Sequence, residues 1–481
     1  MRQLKIYNTL GKKIEPVEPI ADSKIGIYSC GLTVYDYAHI GNLRKYIFDD
    51  LLVRTLRNFG YEVKHVMNIT DVGHLTSDAD NGEDKVEKGA IREGKSAWEI
   101  TKFFENAFLQ DFERLNIVRP DVIPRATEHI EEQIKLIKKL EQKGFTYIVD
   151  DGVYFDTSKL SDYGKLSGQN LTGLKEGARV EKNDQKRNST DFALWKFSKP
   201  PGDNLNITRR QMEWSSPWGV GFPGWHIECS AMSTKYLGQP FEIHTGGIDH
   251  IPVHHTNEIA QSEAAEGKPL AKYWVHSEFV LENGHKMSKS DGHFIRLNDL
   301  IKKGYDPLDF RYLVLSTHYR SKLDFSFDSL DGARSTRKNL INFVQKAVNA
   351  NSSDQEESFY DSALEKFAAN LENDLDTPRA LAVVFETISN GFESSYLGPS
   401  AKKFIKKIDE YLALDLNAVI YKYDKVSSTI KLDDDLVNRL RERAKARESG
   451  DFERADEIKR EIIEKGYKIE DSKDYTAIDK I

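Results

Sequence analysis

Cysteine is nearly missing from this chain: Cys30 and Cys229 are the only two in 481 residues. A scaffold held by disulfides is thereby excluded. Long apolar runs are missing too. No stretch approaches the roughly 20 apolar residues that span a bilayer, and the opening segment MRQLKIYNTLGKKIEP has neither an apolar core nor a small-residue cleavage site. A cytoplasmic protein without membrane contact is expected. Nor is there a basic excess. The net charge is -8 and the pI about 6.0, so a nucleic-acid partner would have to find a local basic groove on an acidic surface. What the chain has is 39% hydrophobic and 30% charged residues, enough for sizeable cores under a solvated surface. Its length calls for two to four domains.

The first hundred residues alternate strand-like and helical patterns: KIGIYSC over 24–30, then YIFDDLLVRTLRNFG, then YEVKHVMNITD. This order predicts a βαβ unit in a parallel sheet, an α/β chain with a Rossmann-like start. From about Asp121 to Trp214 the texture changes. Ile130, Ile134, Ile137 and Leu140 mark a helix leading into strand-like GVYFD and a polar, glycine-rich stretch, which reads as an insertion. Lys199 to Pro223 is dense in Pro, Gly, Ser and Asn and predicts an irregular loop, with strand and helix resuming at Gly224. After Asp299 the apolar spacing becomes helical, near 3.6 from about Asp331 to Ala418, and predicts a bundle. SSTIKLDDDL reads as a linker. The last fifty residues read as two amphipathic helices broken at Ser449-Gly450, with a strand-like finish at YKIED. Their charges alternate in sign, as on a solvated face.

Two segments carry phosphate chemistry. CGLTVYDYAHIGN, Cys30 to Asn42, joins the first strand to a helix. Unsatisfied N–H groups at a helix start favour an anion, Gly41 permits close approach of a nucleotide, and His39 can donate to it. KMSKS, Lys286 to Ser290, stands between strand-like SEFVLENG and the helical region, flanked by Gly284 and Gly292. Two lysines on a glycine-flanked loop can close on a triphosphate and neutralise charge at the α-phosphate. In this order the pair resembles the two ATP-binding motifs of class I aminoacyl-tRNA synthetases. That resemblance implies ATP with Mg2+ as the nucleotide, held by His39, Gly41, Asn42, Lys286, Ser288, Lys289 and Ser290. It makes His39, Asn42, Lys286 and Lys289 catalytic, Lys289 through the phosphates, and gives Asp249 of GGID the nucleotide ribose.

His254 and Glu258 are spaced i, i+4, which on a helix sets imidazole and carboxylate on one face, able to share a metal. Spacing alone does not assemble the rest of a ligand set. GWHIECSAM, HHTNEIAQ, PRATEHI, YGKLSG and the ERADEIKREIIEKGYKIED tail together resemble the cysteinyl-tRNA synthetases over nearly the whole chain. The resemblance implies one Zn2+ on Cys30, Cys229, His254 and Glu258, a set zinc accepts. It implies a cysteine pocket that includes Thr33, Trp225 and His244. A thiol on zinc is deprotonated outright, which a serine hydroxyl cannot match, so no editing domain is needed. The expected parts are a Rossmann catalytic domain in two halves, 1–124 and 216–300, around a connective insertion at 125–215. A stem-contact region and helical bundle at 301–425 and a small anticodon-binding domain at 426–481 follow. The expected partners are tRNA(Cys), ATP and L-cysteine, and the expected state is a monomer.

Some positions depart from the family: Leu32 where proline is usual, Thr256 for glutamate, Phe222 for arginine, Asp291 and His293 after the lysine loop, and a tail without tryptophan. The polar stretch at 70–85 has no assigned role. Two other readings are a ligase joining cysteine to an amino-sugar, which would lack the long C-terminal region, and an inactive tRNA-binding paralogue, against which the intact motifs speak.

Overall fold

A hairpin of β1 (Lys5–Asn8) and β2 (Lys13–Pro16) precedes the first buried strand, β3 (Lys24–Ser29). α1 (Ile40–Asn58) follows, and β4 (Glu62–Met67) lies parallel to β3, with Ile27 opposite His65 and Ser29 opposite Met67. This is the βαβ unit that the alternation predicts. The computed structural model describes residues 2–73, 85–168, 185–198, 210–282, 284–286, 294–349, 357–393, 397–416, 436, 439–440, 442–443, 446, 451–465, 467–471 and 476–480. Most of the polar 70–85 stretch, the linker over 427–435 and the break at Ser449-Gly450 lie outside them.

α2 (Lys85–Glu93) and α3 (Ala97–Arg114) come next, the latter started by a capping box in which Ser96 and Glu99 satisfy each other's backbone N–H. α4 (Ile130–Gln142) leads into an antiparallel sheet of β5 (Thr146–Val149), β6 (Gly152–Phe155), β7 (Phe192–Phe197), β8 (Trp214–Ser216) and β9 (Gly219–Pro223), ordered β5-β6-β7-β9-β8. The hairpin β8–β9 corrects the reading of 199–223 as an irregular loop, for its described part. The glycines there serve close approach: a Cβ on Gly221 would stand 2.0 Å from the Lys196 carbonyl oxygen of the neighbouring strand. Composition counts such a glycine as a breaker, although here only a glycine lets the strands pair.

α5 (Trp225–Leu237), β10 (Phe241–Gly247), α6 (His254–Glu266) and β11 (Ala271–Ser277) complete the parallel sheet, ordered β11-β10-β3-β4. Its core gathers Tyr28, Val66, Met232, Phe241 and Trp274 around the two cysteines. A second core joins the insertion to the catalytic helices, with Ile137, Phe155, Leu194 and Trp195 packing on Ile227 and Ala231 of α5 and Ala260 and Ala264 of α6.

β12 (Val280–Glu282), β13 (His285–Lys286) and β14 (Leu323–Phe325) form a three-stranded sheet. α7 (Leu297–Lys302), α8 (Pro307–Leu315), α9 (Phe327–Asn349), α10 (Glu357–Glu372), α11 (Thr377–Glu393) and α12 (Pro399–Leu412) occupy the helically spaced region. The chain divides into two compact units. One takes residues 1–338, 361–389 and 410–414, the other 339–360, 390–409 and 415–481. Within the first, fully buried Arg311 of α8 pairs with buried Asp50 of α1 and donates to the carbonyls of Leu115 and Leu412. Within the second, α13 (Phe452–Glu464) is followed by an antiparallel hairpin of β15 (Tyr467–Asp471) and β16 (Thr476–Lys480). Ile458 and Ile462 pack on Leu436.

Candidate functional site

Parallel strands end together at one edge, and that edge is where an open α/β sheet presents its ligand-binding residues. Cys30 directly follows β3, Cys229 comes from the buried face of α5, and His254 and Glu258 lie one turn apart on α6. α6 is unusual in its burial. His254, His255, Thr256, Asn257, Glu258, Gln261 and Ser262 are all shielded, and a helix so polar is hidden only where its side chains have partners.

One ligand atom from each of Cys30, Cys229, His254 and Glu258 lies within 4.8 Å of the other three. The two sulfurs are 4.0 Å apart, His254 Nε2 stands 3.0 Å from Glu258 Oε1, and Cys30 Sγ 3.7 Å from the same oxygen. Both cysteines are free, and the sulfurs are about twice as far apart as the ~2.05 Å of a disulfide. A tetrahedral zinc at ~2.3 Å from each thiolate sets the sulfurs about 3.8 Å apart. The donor set therefore fits zinc in chemistry and spacing. A second grouping shares two of its members: Cys30, His244, His255 and Glu258 also come within 4.8 Å. Its two histidines differ: His244 Nε2 is bonded at 2.9 Å to Glu258 Oε2, as in a residue that orients a ligand, whereas His255 is bonded to His276 Nε2 through Nδ1 at 2.8 Å and keeps Nε2 3.2 Å from Cys30 Sγ.

The electrostatics of the four residues are mutually dependent. Burial pushes the Cys30 thiol well above its ordinary range, whereas Cys229 is lowered, chiefly by the bond from Cys30. One thiol thus donates to the other. Burial opposes a charge on His254, yet Glu258 and Cys229 beside it raise the imidazole to about 10. Burial likewise opposes ionisation of Glu258, and His244 and His254 overcome it and hold the carboxyl low. A thiolate, a carboxylate and a proton-bearing imidazole so close together form a site that a divalent cation can enter by displacing protons.

Several residues that build this centre were not singled out by the sequence. Gly31 N–H donates to Asn68 Oδ1 at 2.9 Å, and the same oxygen lies 3.7 Å from Cys229 Sγ. Asn68 Nδ2 donates to Thr70 Oγ1, which donates to Glu228 Oε2. His255 Nε2 stands 3.2 Å from Cys30 Sγ, and His226 Nδ1 3.0 Å from His254 Nδ1. A signal existed: six of the 13 histidines fall between residues 226 and 276.

Among the expected pocket residues, half-buried Trp225 lays its ring 4.4 Å from that of His254. Thr33 bridges to Thr70 beside the centre. His244 is fully buried, stacked on Trp274 at 4.5 Å, and turned toward Glu258. Asp249 is exposed on the short turn after β10. Of the departures, Phe222 is buried beneath the Arg210 guanidinium, 3.6 Å from its ring centre, and Thr256 Oγ1 donates to the Ile251 carbonyl.

At the head of α1, His39 is the N-cap: its Nδ1 accepts from Asn42 N–H at 3.2 Å, while Asn42 Oδ1 accepts from His39 N–H. Gly41 lies under the ring, where a Cβ would stand 2.9 Å from His39 Nδ1. Because Nδ1 accepts, the neutral ring carries its proton on Nε2. No acidic residue stands in the first turn of α1, which leaves its N-terminal partial charge to an anion. Ile40 N–H donates to the Ile295 carbonyl at 2.9 Å, bringing the segment after the lysine loop to this helix start. Lys286 ends β13 on the other flank. Ser288, Lys289, Ser290, Asp291 and His293 lie outside the described residues.

Residues 16–335 match the family of tRNA synthetases class I (C) catalytic domain. The chain is 46% identical over 500 residues to the cysteine–tRNA ligase of Treponema denticola, covering 99% of this chain and 100% of that one. It is 47% identical over 470 residues to cysteine–tRNA ligase 1 of Burkholderia lata, covering 98% and 95%. Among solved structures, Mycobacterium tuberculosis methionyl-tRNA synthetase in complex with methionyl-adenylate is similar with a TM-score of 0.56 at 15% identity, over 83% of this chain and 90% of that one. Likeness at that identity speaks for the fold.

Proposed function

The chain belongs to the cysteine–tRNA ligases, class I tRNA synthetases that are ATP-dependent ligases, and from that membership we propose that it activates L-cysteine with ATP and charges tRNA(Cys), selecting cysteine through zinc. The amino acid's carboxylate attacks the α-phosphorus of ATP and pyrophosphate leaves; a hydroxyl at the 3′ end of the tRNA then attacks the cysteinyl carbonyl of the adenylate, and AMP leaves. Such chemistry asks the protein to position and to stabilise charge more than to form covalent bonds.

The observation that carries the reading is the meeting of four buried donors, from Cys30, Cys229, His254 and Glu258, within 4.8 Å. Zinc held there supplies a bond to a thiolate that a hydroxyl does not match. The chain's own residues do the rest. His244 keeps the Glu258 carboxylate turned, and Trp225 and Thr33 wall the amino-acid pocket. His39 offers Nε2–H toward phosphate at the N-terminus of α1, with Gly41 and Asn42 shaping the approach. Lys286 and Lys289 neutralise charge on the triphosphate that Mg2+ accompanies, Ser288 and Ser290 hydrogen-bond to it, and Asp249 receives the ribose. Residues 1–124 and 216–300 are the catalytic halves, 125–215 the connective insertion, 301–425 the stem-contact region and bundle, and 426–481 the anticodon-binding end. The protein works as a cytoplasmic monomer.

The test pairs metal analysis with amino-acid-dependent pyrophosphate exchange. About one zinc per chain is expected, with exchange strong for cysteine and at least 1,000-fold weaker for serine, the kind of ratio reached when a site recognises a group the competitor lacks. A zinc-free protein after mild purification, or comparable exchange with serine, would refute the proposal.

A further inference from the structure

α1 carries a lysine where a helix packed on a sheet normally carries an apolar residue. Lys45 is buried, only 7% exposed, and its Nζ donates to the Cys30 carbonyl at 2.7 Å. The same Nζ stands 2.7 Å from Asp49 Oδ2, one turn further along α1, and Asp49 is 2% exposed. A buried ion pair stabilises little by itself, because desolvating both charges offsets their attraction. A second partner on the ammonium therefore calls for an account, and that partner is the backbone of a proposed metal ligand.

We propose that Lys45 is a positioning residue for the metal centre, fixing Cys30 from its carbonyl side and tying it to the helix that caps with His39 and Asn42. The Cys30 backbone is then held on three sides: its N–H donates to the Thr245 carbonyl at 3.2 Å, its C=O accepts from Lys45, and the next N–H, of Gly31, donates to Asn68 Oδ1. With both flanking peptides pinned, the thiol swings only about its own side-chain torsion. Charge points the same way. Two thiolates and one carboxylate around a divalent cation leave a net charge of about -1, and a substrate thiolate adds another negative charge. Lys45 directs its positive end toward the Cys30 backbone, while Asp49 is set back by one helical turn. Because α1 also presents the phosphate-binding cap, this lysine links the grip on the amino acid to the grip on the nucleotide.

The inference rests on the zinc reading above, and the experiment separates the two. Zinc affinity of the full chain is measured by competition with a chromophoric chelator, and the cobalt(II)-substituted protein is scanned for thiolate-to-metal charge transfer. In Lys45→Met/Asp49→Asn, which removes both buried charges together, zinc affinity is expected to fall 10- to 100-fold. Its cobalt charge-transfer band should weaken while the thermal midpoint stays near that of the wild type. Asp49→Asn alone leaves the bond to Cys30 in place and should keep zinc within about threefold. A folded double variant that binds zinc within twofold of the wild type overturns the role of Lys45, and so does a tenfold loss in Asp49→Asn. A wild type that takes up no zinc overturns the zinc reading instead.

Discussion

Replacing Gly31 by alanine tests how tightly the centre is built. A Cβ there would stand 1.5 Å from the Asn68 carbonyl oxygen and 2.6 Å from its carbon, and both are backbone atoms that cannot swing aside. To reach even 3.0 Å, the closest approach real Cβ atoms make, the segment after β3 must part from that after β4 by about 1.5 Å along the contact. The 2.9 Å bond from Gly31 N–H to Asn68 Oδ1 would open with it. Losing one buried hydrogen bond is worth roughly 1 kcal/mol, and forced overpacking typically adds 1–3 kcal/mol, so a loss of about 2–4 kcal/mol is expected. At roughly 1.3 °C per kcal/mol for a unit of about 370 residues, the melting midpoint should drop by about 3–5 °C. Function should suffer more. Cys30 precedes Gly31, and Asn68 Oδ1 lies beside the other thiol, so the shift reaches both sulfurs, and misplacement near 1 Å is enough for a ~100-fold loss. The assay is a thermal melt with and without zinc, beside a zinc titration. A midpoint within 2 °C of the wild type together with unchanged zinc affinity would refute the reasoning.

His244→Phe keeps the stack on Trp274 but removes the bond to Glu258 Oε2; zinc affinity should fall 10- to 100-fold, as for other residues that orient a ligand, and a titration matching the wild type would reassign His244. Burial lowers the His65 imidazole from its ordinary 6.5 to about 4, so between those values the unfolded chain takes up a proton that the folded one refuses. Stability from this group is therefore complete above pH 6.5 and is lost as pH falls toward 4, by up to about 3 kcal/mol. His65→Gln should flatten urea-midpoint curves over that window relative to the wild type, and parallel curves would disprove the assignment. Ending the chain before Leu432 should spare cysteine-dependent pyrophosphate exchange and reduce tRNA charging at least tenfold; equal charging would remove the anticodon role of that end.

The parallel sheet was legible because its strands are apolar runs bounded by turns, as in KIGIYSC and YEVKHVM, and burial on both faces demands such runs. The β8–β9 hairpin was not, because Gly219, Gly221 and Gly224 have one composition and two meanings, turn and close approach. His254 and Glu258 could be paired from spacing, since one helix face repeats every three to four residues. Asn68, Thr70 and His276 had no such handle: they stand at the ends of two different strands, β4 and β11, and no interval in the chain encodes that they meet. His255 adjoins His254, and no periodicity tells which of two neighbours faces a metal. Lys45 was not singled out by the sequence, because only the fold reveals that this lysine is buried.

The core shared by the insertion with α5 and α6 has a consequence for anyone seeking a smaller catalyst. Those helices carry Cys229, His254 and Glu258 on one side and lean on Leu194, Trp195 and Phe155 with the other. Excising 125–215 would strip that backing and leave three of the four donors on helices with a greasy, wet flank. A minimal version would need a replacement wall before it could hold a metal at all.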